Sequence, residues 1–110
     1  MLGAGYFLPQ PAAMTCHTEK FHIAAAHPAL PGHFPGNPVV PGVVLLQRVA
    51  AAIERAWGQR VCGLLQVKFL RPLLPEQEAE LSIVQDGTSI RFSIVHGQVR
   101  IANGSVEAAP

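Results

Sequence analysis

The sequence predicts an α+β domain in which one long apolar helix is wrapped by a curved antiparallel sheet. Three observations predict it. The stretch Val43–Trp57 carries 11 apolar residues in 15. Short apolar segments, one of them cleanly alternating, follow it and are separated by Asp-Gly and His-Gly turns. The order is strand, helix, then an antiparallel meander, and a helix laid against a sheet buries both apolar surfaces. The 110 residues fit a single domain, 1–110, in which 1–14 is a poorly defined N-terminal segment.

The elements follow in order. Thr15 to Ala26 reads as a strand, with Phe21 and Ile23 set among polar residues. His27 to Pro41 holds Pro28, Pro31, Pro35, Pro38 and Pro41 together with Gly32 and Gly36. Five prolines exclude a helix there and impose a stiff, extended loop. The helix is expected over Pro41–Trp57, because proline suits a first turn and Gly58 is a stop signal. Its only polar positions after Gly42 are Gln47, Arg48, Glu54 and Arg55, which repeat at i, i+7 and form one narrow stripe. A helix apolar on its other sides is expected to be buried. Strands are then expected over Val61–Leu70, Ala79–Gln85, Ser89–Val95 and Gln98–Val106. In the third of these Ile90, Phe92 and Ile94 share one face. Such a sheet has free edges that a second subunit would cover.

Composition bounds the function. Hydrophobic residues make up 49% and charged residues 14%, against about 25% charged in a usual domain. A surface this poor in charge points to an oligomer, most simply a dimer. A net charge of +1 argues against nucleic-acid binding. No run of about 18 apolar residues offers a membrane span, and Met1 to Met14 lacks the basic start of a signal peptide, so the expected location is cytoplasmic. Cys16 and Cys62 show no metal spacing and are expected as core thiols in a reducing compartment. His17, His22, His27 and His96 show none either, so neither a metal nor another cofactor is expected.

Gly32-His33-Phe34-Pro35-Gly36-Asn37-Pro38-Val39-Val40-Pro41-Gly42-Val43 resembles the active-site loop of the 3-hydroxyacyl-(acyl-carrier-protein) dehydratases, which are hot-dog fold enzymes of fatty-acid and polyketide synthesis. The likeness runs unbroken over a dozen residues. Val67-Lys68-Phe69-Leu70-Arg71-Pro72-Leu73-Leu74-Pro75 resembles the family's strand after the helix, and Ile101-Ala102-Asn103-Gly104 fits the last strand loosely. Together these cover most of 27–106. The short chain and the weak N-terminal match point to a divergent branch, one like the dehydratases of aryl-polyene pigment clusters.

The resemblance implies a hot-dog dimer with two shared sites, acting on an acyl-carrier-protein or coenzyme-A thioester. Dehydration needs a base for the α-proton, a donor for the thioester oxygen, and an acid for the departing hydroxyl. Histidine suits the base role near neutral pH, and the resemblance gives that role to His33. It gives the polarising N–H to Gly42, at a helix start whose free N–H groups and positive potential favour a developing enolate. It places Phe34, Pro35, Gly36, Val40, Pro41 and Val43 around the substrate; plain core is the alternative for Phe34.

The acid is where this sequence departs. The family carries Glu or Asp on the helix 14 residues after the histidine, and here that residue is Gln47. An amide donates no proton at neutral pH, but it can hold a hydroxyl or a water. Glu54, two turns on and roughly 10 Å along the axis, is too far to replace it. Three readings stay open: a weakened dehydratase using water held by Gln47, one half of a heterodimer whose partner brings the carboxylate, or a non-catalytic acyl binder. A thioesterase on the same fold ranks below these. Arg48, Arg55, Lys68 and Arg71 either meet an acidic carrier protein or are plain solvated charges.

Overall fold

The computed structural model describes residues 15–28, 30 and 39–110. Their element order is β1 (Thr15–Phe21), α1 (Gly42–Trp57), β2 (Arg60–Phe69), β3 (Ala79–Asp86), β4 (Ser89–His96) and β5 (Val99–Ala109). The five strands form one sheet in the order β1-β3-β4-β5-β2, and every neighbouring pair is antiparallel. The first strand is shorter than expected: it stops at Phe21, and the chain turns through Ala25 and Ala26.

The hairpins follow from local chemistry. Asp86 pairs with Ser89 and His96 with Val99, leaving the two-residue loops Gly87-Thr88 and Gly97-Gln98. Gly87 and Gly97 have φ of 69° and 62°, a region glycine enters without steric cost.

Period-two alternation then selects the buried face. Leu81, Ile83, Ile90, Phe92 and Ile94 point inward, and Ile101, Val106 and Ala108 of β5 join them. Against this face the helix lays Val44, Leu45, Val49, Ala52 and Ile53. Pro41 stands at its N-cap and Gly58 closes it in a left-handed C-cap, donating its N–H to the carbonyl of Glu54 at 2.9 Å.

Two expectations are corrected. The helix is one-sided within this chain: Gln47, Ala51 and Glu54 are exposed, and Val43 keeps 59% of its surface in solvent. The sheet covers only one side of the helix, so the many apolar residues do not make it buried all round. Cys16 and Cys62 are exposed rather than core thiols. Both stand on strands that edge the sheet, where the outward face is open; Cys62 directs its Sγ to the Glu107 carbonyl at 3.4 Å. Among the described residues no helix is long and apolar enough to cross a membrane.

Candidate active site

The helix start builds the site. Pro41 has φ −62° and ψ 146°, and it offers no side-chain cap to the first turn. No acidic residue stands in that turn. The opening N–H groups of a helix have no partner within it and carry its positive end. Val44 and Leu45 direct their N–H groups back to the Pro41 carbonyl, at 3.0 and 3.4 Å.

Beside this helix start lies a groove of about 370 Å³, lined by 39–42 and Leu45 on one side and by 69–73 on the other. Small-molecule sites run from about 300 Å³ upward. Most of its lining is apolar, with Arg71 as its charged member. Its two walls are joined where the Val40 N–H donates to the Leu73 carbonyl at 2.8 Å.

Gly42 lies in the groove for a reason of shape. A Cβ built there would stand 2.6 Å from Cζ of Phe69. The ring of Phe69 therefore occupies the space that any other residue would fill. Phe69 is itself half-exposed, so the aromatic that seats on Gly42 also faces solvent.

The predicted site residues divide into three groups. His33, Phe34, Pro35 and Gly36 lie outside the described residues. Val40, Pro41 and Gly42 are brought together in the groove. Val43 and Gln47 are not: one helical turn apart, they share the exposed side of the helix. Within one chain, Gln47 and the groove face different directions.

The basic residues are also sorted. Arg55 makes a bidentate pair with Glu19, Nη2 to Oε2 at 2.7 Å and Nη1 to Oε1 at 3.1 Å. Arg48 lies 5.5 Å from the Phe21 ring centroid and reaches the His22 carbonyl at 3.3 Å. Lys68 and Arg71 are exposed. Among the described residues no group of three His, Cys, Asp or Glu side chains could hold a metal ion.

Sequence reasoning missed the seating of Phe69 on Gly42, because a contact between residues so far apart leaves no local pattern. It also missed the turn at 73–77, whose backbone geometry the sequence does not signal.

Comparison with known proteins places this geometry in a lineage. A 3-hydroxyacyl-[acyl-carrier-protein] dehydratase from Haemophilus influenzae is 33% identical over 72 residues, covering 56% of this chain and 49% of that protein. The chain thus spans about half the length of these curated relatives. Among solved structures, the dehydratase heterocomplex ApeI:P from Xenorhabdus doucetiae superposes with a TM-score of 0.77 at 24% identity, over 93% of both chains. The fluoroacetyl-CoA thioesterase FlK superposes with a TM-score of 0.62 at 18% identity, over 86% of this chain and 84% of its own. These likenesses show the hot-dog fold, which dehydratases and thioesterases share. The model of the ApeI-like family, described as ApeI dehydratase, matches residues 10–105, nearly the whole of the sequence that forms the helix, the groove and the sheet. The chain belongs to the ApeI-like dehydratase family.

Proposed function

We propose that this protein is a lyase that removes water from 3-hydroxyacyl thioesters carried on acyl carrier protein. The observation that carries the reading is the family match across 10–105, which includes the whole His33–Gly42 segment. The relatives named as 3-hydroxyacyl-[acyl-carrier-protein] dehydratases supply the substrate class.

The chemistry assigns each group. His33 takes the proton from the carbon next to the thioester. The thioester oxygen, gaining negative charge, accepts a hydrogen bond from the Gly42 N–H at the positive end of the helix. The electron pair of the broken C–H bond becomes the new double bond, and the hydroxyl leaves. It departs as water once it gains a proton. Gln47 has none to give at neutral pH, so its amide orients the hydroxyl or a water that protonates it, and the hydroxide left behind takes the proton that His33 removed.

Gln47 favours a second reading, in which this chain pairs with a hot-dog chain bearing the carboxylate. Its exposure on the side of the helix away from the groove supports a site completed by another chain. The solved dehydratase neighbour is itself a heterocomplex. Exposed, unpaired Cys16 and Cys62 suit the reducing cytoplasm, which we take as the location.

The test compares wild type, His33→Ala and Gln47→Glu in hydration of a 2-enoyl thioester, the reverse reaction. Wild-type turnover that His33→Ala abolishes supports the lyase reading. Silence in the wild type with activity gained by Gln47→Glu moves the missing acid to a partner chain. Silence in all three rejects both.

A further inference from the structure

Arg71 lines the groove beside Gly42, and it lines a second cavity as well. This is an open depression of about 670 Å³, lined among the described residues by Leu70, Arg71, Gln98, Val99 and Arg100. Leu70 and Arg71 are common to both, so the groove and the depression adjoin. The main chain fixes the place where they meet. The Leu70 and Arg71 N–H groups both donate to the Ile101 carbonyl, at 2.8 and 3.3 Å. The chain just beyond β2 is thereby tied to β5 at the residue after Arg100.

The depression has a two-part chemistry. Leu70 and Val99 keep 47% and 46% of their surface in solvent, an apolar floor left open. Arg71 and Arg100 are exposed, and among the described residues neither has an ion-pair partner. Arg55, by contrast, is held by Glu19. No carboxylate appears in the described lining of either cavity. Two unpaired guanidinium groups on one cavity repel each other, and an anion between them turns that repulsion into attraction. Each guanidinium presents a planar fork of donors that matches phosphate oxygens. The ligand this calls for is apolar along part of its length and carries a phosphate at one end.

An acyl thioester held at Gly42 brings such a group with it. Whether the thiol belongs to an acyl carrier protein or to coenzyme A, it ends the same phosphopantetheine arm: two amides, a carbon bearing two methyl groups, and a phosphate at the far end. We propose that Arg71 and Arg100 bind the phosphate of that arm, with Leu70 and Val99 beneath its methyl-bearing part. The acyl end then lies in the groove at Gly42, and the arm leaves past Arg71. The inference rests on the thioester reading of the groove, and it holds whichever reaction the thioester undergoes.

The test uses two 3-hydroxyacyl thioesters that differ only in the phosphate, one on phosphopantetheine and one on pantetheine. Unreactive thioether analogues of both serve for calorimetry. The double variant Arg71→Met with Arg100→Met keeps the apolar stems and removes the charge. Arg91→Met is the control, an exposed arginine of β4 outside both cavities. These are surface changes, so the variants should melt with the wild type. The wild type should bind the phosphorylated analogue at least about tenfold more tightly than the other, with the same preference in KM. The double variant should lose the preference and Arg91→Met should keep it. No preference in the wild type overturns the proposal, as does one that the double variant retains or that Arg91→Met also loses. Thioesters of carrier protein and of coenzyme A separate the two sources of the arm. Weakening of both in the double variant supports the shared phosphate. Weakening on carrier protein alone means that the arginines meet that protein's own surface, and overturns the proposal. If the wild type converts no thioester, the dehydratase reading falls separately and the calorimetry still decides. A wild type that binds neither analogue overturns the proposal as well.

Discussion

Glu19 carries the best-formed ion pair among the described residues. Arg55 grips both its carboxylate oxygens, and His17 adds a contact from Nε2 to Oε1 at 2.8 Å. The Arg55 hydrogen bond holds the Glu19 carboxyl below its ordinary value of 4.5, with His17 helping and partial burial opposing. A carboxyl lowered on folding stabilises the protein above its unfolded value, and that stability is lost as pH falls through the folded value. Glu19→Gln should therefore cost up to about 1 kcal/mol at pH 7, the upper range for a partly exposed pair. The difference from wild type should close in melts taken well below pH 4.5. A gap that persists in acid would mean that the carboxylate charge is not what stabilises the pair. The pairing joins α1 to β1 across the chain, and nothing in the local sequence around either residue announces it. The positive φ of Glu76 was hidden for a related reason: glutamate has no preference for it, so only the folded backbone exposes it.

At the scale of elements, the strands were legible where one face is buried and the other is not. Ile90, Phe92 and Ile94 alternate with Ser89, Arg91 and Ser93, and the inward set is fully or nearly buried. The helix limits were legible too, since proline and glycine act through local sterics. Which side of the helix is covered was not, because apolar residues nearly surround it and only the sheet's position chooses among them. The helix start carries a specific coupling. Gly42→Ala gains helix propensity but drives a methyl into the half-exposed ring of Phe69, which must swing aside, at a cost below the about 1–3 kcal/mol of overpacking a closed core. The single variant should be less stable than wild type, and Gly42→Ala with Phe69→Ala should recover stability relative to Phe69→Ala alone. Equal effects of Gly42→Ala in both backgrounds, read from denaturant unfolding, would show that the contact has no energetic weight.

At the scale of the whole molecule, the exposed apolar residues are unevenly placed. Leu64, Leu65 and Phe69 belong to β2, which among the described residues ends the sheet, and each keeps half or more of its surface in solvent. Leu70 is next along, and Val43 presents 59% of its surface on the helix. An edge that is both apolar and open invites a second chain. The low charge fraction already pointed there, although composition does not say which edge. We predict a dimer in solution by light scattering, weakened at least tenfold by Leu64→Glu with Leu65→Glu. A wild type that stays monomeric at micromolar concentration would contradict this. The dehydration chemistry is met directly by mass spectrometry of a 3-hydroxyacyl carrier protein incubated with the purified chain, with His33→Ala as control. The proposed chemistry predicts loss of one water from the carrier-bound acyl group, dependent on His33. Release of the whole acyl chain, leaving the free carrier thiol, would contradict it and make the protein a thioesterase.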